Sequence, residues 1–190
     1  MPKTPVLVCC DSIAEQAHIS ARLAKDFDKI MGCQLSQLES MLEKEPSATL
    51  VISWQQPCAE LSLIMDAAKQ RQRPLLVILK QLNENDINRL PVGNDYVLLP
   101  HDSQFELSAW VVHARQVREK SIQDDQKLEA LNLKLEERKL IEKAKGLLMK
   151  HHHLDEQTAF SALRKSSMQS SLSLAQVSKN LIHTLESISL

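Results

Sequence analysis

The sequence predicts an α/β domain on a parallel five-stranded sheet, then a long coiled-coil helix, then a small three-helix module. Three observations point there. Short apolar, β-branched runs alternate with helical spacings over the first hundred residues, a stretch without Gly or Pro runs from residue 104 through Lys145, and helical periodicity continues beyond it. The 190 residues are 43% apolar and 25% charged, an ordinary globular balance. Three Gly and a 3% aromatic share leave little material for Gly-rich phosphate cradles or broad base-stacking platforms, which argues against a nucleotide-cradling enzyme.

Val6-Leu7-Val8-Cys9-Cys10 reads as a buried strand that meets Asp11-Ser12 and a helix marked by Ile13, Ala17, Ile19 and Leu23. Leu35 to Leu42 is helical in spacing, Thr49 to Trp54 a buried strand, Leu61 to Ala68 helical, and Pro74 to Leu79 another strand. A last strand, Tyr96 to Leu99, stops at Pro100. Continuous apolar strands of this kind belong to parallel sheets covered on both faces.

Asp102 or Ser103 offers an N-cap to the long helix, whose forty-odd residues span about 60 Å at about 1.5 Å each. With Leu107 at an a position, the a/d seam is Leu107, Trp110, Ala114, Val117, Ser121, Asp124, Leu128, Leu131 and Leu135, apolar except at its middle pair. A homodimeric coiled coil is expected, the alternative being an amphipathic helix folded back on its own domain. Ile141, Ala144, Leu147 and Leu148 carry the helix onward. Asp155 and Glu156 open a second helix with Ala159, Phe160 and Leu163, and Ser173 a third with Val177, Leu181, Ile182 and Leu185. The expected divisions are 1–103, 104–136 and 137–190.

Residues 1–125 carry 13 basic and 17 acidic side chains, net -4, whereas residues 126–190 carry 10 and 7, net +3. That asymmetry suits a polyanion partner for the C-terminal part, and equally a lysine-rich solvated face. Cys9, Cys10, Cys33 and Cys58 lack C-x-x-C spacing, so reduced thiols in a cytoplasmic protein are expected. The N-terminal apolar run is too short for a signal segment or a membrane span. His151, His152 and His153 point in different directions at a helix end without matched acidic or thiol ligands, so polar surface is expected there and no metal or cofactor.

The first domain, with Asp11 after its first strand, resembles the receiver domain of two-component response regulators, whose sheet order is flavodoxin-like. The resemblance implies a carboxylate nucleophile ending the third strand, acids after the first, a hydroxyl after the fourth and a lysine before a proline after the fifth. Those positions hold Ser53, Asp11 as the acid, Leu79 and Leu99. Serine without a base is a poor nucleophile, and without the carboxylate pair and the lysine neither metal nor phosphoryl charge is held. A pseudo-receiver is expected, keeping the packing and not the chemistry.

Glu137-Arg138-Lys139-Leu140-Ile141-Glu142-Lys143-Ala144-Lys145-Gly146-Leu147-Leu148-Met149-Lys150 is followed by Ala159-Phe160, Leu163-Arg164 and Met168. These strings resemble the ANTAR domain over about residues 126 to 188, and the whole order resembles the antiterminators of amidase and nitrate-assimilation genes. The resemblance implies a non-enzymatic regulator that binds hairpin loops of leader mRNA, whose unstacked bases can be read singly. It further implies release by a ligand-sensing protein partner that responds to nitrate, nitrite or an amide. Arg138, Lys145 and Arg164 match the family's basic positions, and Lys139, Lys143, Lys150, Lys165 and Lys179 are further cations suited to phosphate contact.

Three local features bear on that resemblance, the last two as departures from it. Gly146 within a helix costs about 1 kcal/mol against Ala, with packing on the second helix the expected reason and close approach of RNA the alternative. His153 stands where the family has a turn glycine and is expected in a left-handed conformation, while Ser166, Ser167, Ser170, Ser171 and Ser173 replace a more basic stretch. The rival functions are a DNA-binding response regulator, for which a third helix carrying only Lys179 is thinly charged, and a dimeric protein-interaction module without RNA binding.

Overall fold

Five parallel strands form one sheet in the order β2-β1-β3-β4-β5, the flavodoxin-like arrangement with its switch point between β1 and β3. The structure is a computed structural model that describes residues 4–81, 89–91, 93, 95–101 and 106–188. The elements are β1 (Val6–Cys10), α1 (Ile13–Leu23), β2 (Ile30–Cys33), α2 (Leu38–Lys44), β3 (Thr49–Trp54), α3 (Ala59–Gln70), β4 (Leu75–Leu79), β5 (Val97–Pro100), α4 (Leu107–His152), α5 (Glu156–Ser170) and α6 (Leu174–Ile188). A 3₁₀ turn over Leu35–Gln37 leads into α2, so the helical spacing read from Leu35 begins as the tighter helix. Two compact units result, Met1–Asp124 and Asp125–Leu190.

Successive side chains of a strand point to opposite faces, and both faces of this sheet are apolar. Leu7, Cys9, Leu50, Ile52, Val77 and Leu79 join Leu38, Leu42, Leu61 and Ile64 in one core. Val6, Val8, Val51, Leu76, Ile78, Val97 and Leu99 join Ile19 and Leu23 in the other. β2 is the strand that no apolar run announced. It is a four-residue edge strand with Gly32 inside it, and only Cys33 of its side chains is buried, so pairing with β1 defines it rather than hydrophobicity.

The predicted coil seam begins inside the sheet domain. Leu107, Val111 and Ala114 are buried on the second core, with Trp110 and Val117 packed beside it, because Ile78, Val97 and Leu99 would otherwise face water. Each such large aliphatic side chain contributes about 1.5–3 kcal/mol on burial. The proposed N-caps, Asp102 and Ser103, lie outside the described residues. The seam leucines Leu128, Leu131 and Leu135 are exposed, as is Leu133 beside them.

Two arginines fasten the start of α4. Arg115 Nε donates to Thr49 Oγ1 at 2.7 Å and its Nη2 to the Thr4 carbonyl at 3.3 Å, with the guanidinium 5.5 Å from the centre of the Phe27 ring. Arg118, 4% exposed, donates to Asp95 Oδ2 at 3.1 Å and to the carbonyls of Ala68 at 3.4 Å and Lys69 at 2.7 Å. Arg118→Met leaves the Asp95 carboxylate with only the longer contact to Lys69 Nζ at 3.9 Å and removes the donor from two carbonyl acceptors. It should destabilise the first unit by about 3 kcal/mol, read by urea unfolding monitored on Trp54 and Trp110.

Candidate nucleic-acid interface

Ser53, Asp11, Leu79 and Leu99 lie at or just past the carboxyl ends of β3, β1, β4 and β5. Ser53 is fully buried in β3, in register with Cys10 and Ile78, and its hydroxyl has no hydrogen-bond partner among the described residues. Leu79 and Leu99 are core residues. Asp11 Oδ2 accepts from the Gln55 amide at 2.8 Å, and the Asp11 amide donates to the Ser53 carbonyl at 3.2 Å. The Asp11 carboxylate thus closes the loop after β3.

Sequence reasoning missed the charged group beside them. Lys80, one residue past β4, reaches Glu15 Oε2 at 2.8 Å, and His101, one residue past β5, reaches Glu15 Oε1 at 3.2 Å. Partial burial alone would push the Glu15 carboxyl up, but Lys80 and then His101 outweigh it and hold it below its usual value. Glu15 in turn holds the Lys80 ammonium above its usual value. Partial burial beside Ser53 pushes the half-buried Cys10 up to about 12, and it stays a thiol at neutral pH. An acid in the first turn of α1 and cations just past two strands are the only traces of this group in the sequence.

The second unit builds its core from small and aliphatic residues: Ala144 and Leu148 of α4, Ala159 and Leu163 of α5, Val177 and Ile182 of α6. Its turns are made by side-chain capping. His153 takes φ 52° at the end of α4, as its place in the turn predicts. Asp155 caps α5, with Oδ1 accepting from the Thr158 amide at 2.8 Å and Oδ2 from the Thr158 hydroxyl at 3.0 Å, and these bonds hold its carboxyl below the usual range. At the other end of α5 the serines close the helix. Ser170 Oγ donates to the Ser166 carbonyl, Ser167 Oγ donates to the Leu172 carbonyl, and Ser171 takes φ 55°. Ser173 Oγ then accepts from the Gln176 amide at 3.1 Å and starts α6.

Lys145 stands apart from the other cations. It is 8% exposed, and its Nζ meets Glu142 Oε2 at 2.9 Å and Glu156 Oε1 at 2.7 Å. Glu156 first and Glu142 second raise its pKa, and it lowers that of Glu156. Lys145 therefore ties α4 to the first turn of α5, and its charge is spent on two carboxylates. Lys139 pairs with Glu136 at 2.7 Å and Lys143 with Glu186 at 2.6 Å, both exposed pairs that cost little to exchange for phosphate. Arg138, Lys150, Arg164, Lys165 and Lys179 are exposed, and none has an ion pair or hydrogen bond among the described residues. Gly146 does not serve close packing on α5: a methyl group there would meet nothing within 4 Å, so its face of α4 is open.

Residues 129–182 match the family model of the ANTAR domain, an RNA-binding antitermination module. No curated protein matches the chain. Among the described residues no helix is long and apolar enough to cross a membrane.

The tie between Glu156 and Lys145 makes the unit acid-sensitive in a defined direction. A carboxyl held below its unfolded value near 4.5 contributes its full stabilisation above that pH and loses it as pH falls through the lowered folded value. Glu156→Gln should lower the thermal midpoint of the helical unit at pH 7. The gap to the wild type should close as the pH drops below 4.5, measured by far-ultraviolet circular dichroism.

Proposed function

We propose that the chain is an RNA-binding transcription antiterminator that engages hairpin loops of a leader mRNA and is controlled by association with a ligand-sensing protein. The observation that carries this reading is the ANTAR match at residues 129–182 over a surface whose cations Arg138, Lys150, Arg164, Lys165 and Lys179 face solvent without carboxylate partners. Phosphate oxygens replace water on such side chains with release of counterions, whereas a cation already paired in a partly covered site gains less. Arg138 and Arg164 are the main RNA contacts in this reading, with Lys139, Lys143, Lys150, Lys165 and Lys179 on phosphates, and Lys145 positions the helices that carry them. The open face at Gly146 favours close approach of the RNA backbone over helix packing as the reason for that residue.

Two features of the first unit support control by a partner. The nucleophile position is a buried hydroxyl, and the nearby ammonium of Lys80 is engaged by Glu15. Phosphorylation lacks its nucleophile there, and the sheet domain is left as a docking surface. An amide, nitrate or nitrite is the proposed signal, sensed by the partner in the cytoplasm. Leu128, Leu131 and Leu135, exposed on one seam of α4, support a homodimer through that segment.

Against a selected two-hairpin leader RNA, Arg138→Gln with Arg164→Gln should weaken binding. The slope of log affinity against log salt should also shrink by about 0.7–0.9 for each phosphate contact removed. Tight binding of duplex DNA with no preference for the RNA would overturn the reading in favour of a DNA-binding regulator. Incubation with acetyl phosphate and Mg²⁺ should leave the intact mass unchanged, and a stable single phosphoryl adduct would refute control without phosphorylation.

A further inference from the structure

Phe160 is the sole Phe, Tyr or Trp of residues 125–190, and the fold does not spend it on the core. Phe160 is 41% exposed, while its neighbours Ala159 and Leu163, each a smaller side chain, are buried in the interior of the helical unit. A small unit short of apolar volume would gain by turning an aromatic ring inward.

The surroundings of the ring say what covers it. Gln157, Phe160, Arg164 and Met168 follow one another at three- and four-residue spacing and so share one stripe of α5, and all four are exposed, Met168 by 75%. Arg164 has no ion pair or hydrogen bond among the described residues. The nearest carboxylate on the helix, Glu156, is bound to Lys145 at 2.7 Å. The stripe thus offers a π-face, a free guanidinium one turn away, an amide able to donate and accept, and a soft thioether, with no uncompensated negative charge. An unstacked nucleobase and its phosphate complement each of these groups, whereas a duplex keeps its bases stacked and shows none to the ring.

We propose that Phe160 is a base-stacking platform for one nucleotide of a single-stranded RNA loop, with Arg164 on the adjoining phosphate. This rests on the RNA-binding reading above and adds to it a subsite of definite chemistry. Because stacking releases no counterions, the contribution of Phe160 persists at high salt, while that of Arg164 fades.

The test uses the full-length chain and a pool of hairpin RNAs with a fixed stem and a randomised loop. The hairpin selected by the wild type is then remade with 2-aminopurine at each loop position in turn. Phe160→Leu should keep the wild-type melting curve and lose about 5- to 140-fold in affinity, at low and high salt alike. Phe160→Trp should bind as the wild type does. Wild-type protein should quench the 2-aminopurine at one loop position, and saturating Phe160→Leu should not. A well-folded Phe160→Leu that binds as tightly as the wild type overturns the platform and leaves the RNA-binding reading standing. So does a Phe160→Leu that alters only self-association in sedimentation. If Phe160→Leu fails to fold, the quenching decides: none at any loop position with wild type and with Phe160→Trp refutes the platform. A wild type that selects no hairpin from the pool refutes the RNA-binding reading itself.

Discussion

Lys145 is the tie on which the helical unit depends. Its ammonium bridges Glu142 on its own helix and Glu156 at the head of α5, across a turn where His153 sits in the left-handed region. The hydrophobic core of the unit is built of small and aliphatic side chains, and capping bonds and this charged bridge add the polar contacts that join its helices. The bridge also sorts the cations. Lys145 is spent internally on two carboxylates and Lys139 and Lys143 hold exposed pairs, whereas Arg138, Lys150, Arg164, Lys165 and Lys179 have no carboxylate partner among the described residues.

The sheet domain separates the demands of packing from those of chemistry. Packing requires apolar residues on both faces of five strands, and these are all in place. Phosphoryl transfer requires a small set of groups at the strand ends, and that place is taken by Glu15 with Lys80 and His101 and by a buried serine hydroxyl. The ion group neutralises itself without an external phosphate, so the carboxyl edge of the sheet is electrostatically complete.

Most of the architecture was legible because each core strand is an apolar run and each helix a periodic one. β1, β3 and β4 stand out within a residue, and the caps Asp155 and Ser173 mark α5 and α6 for the same local reason. β2 was not legible, since a four-residue edge strand broken by Gly32, with Ile30 and Met31 only half-buried, carries little hydrophobic signal. The start of α4 misled in a different way. A seam repeating every three and four residues reads alike whether it meets a second helix or a sheet, and the apolar face of β4 and β5 decided for the sheet.

The sequence by itself determined which residues carry positive charge on the last helices, where the turns fall, and that β3 ends without a carboxylate. These are properties of single residues and short strings. Tertiary structure alone decided that Lys145 is neutralised while Arg138 and Arg164 stand free, that Glu15, Lys80 and His101 meet, that Gly146 opens to solvent, and that Phe160 lies outside the core. The reason is physical: the worth of a charge or a ring depends on the groups within a few ångströms of it. Glu15 and Lys80 are brought to hydrogen-bond distance by the parallel sheet, and no local pattern in the chain records that meeting.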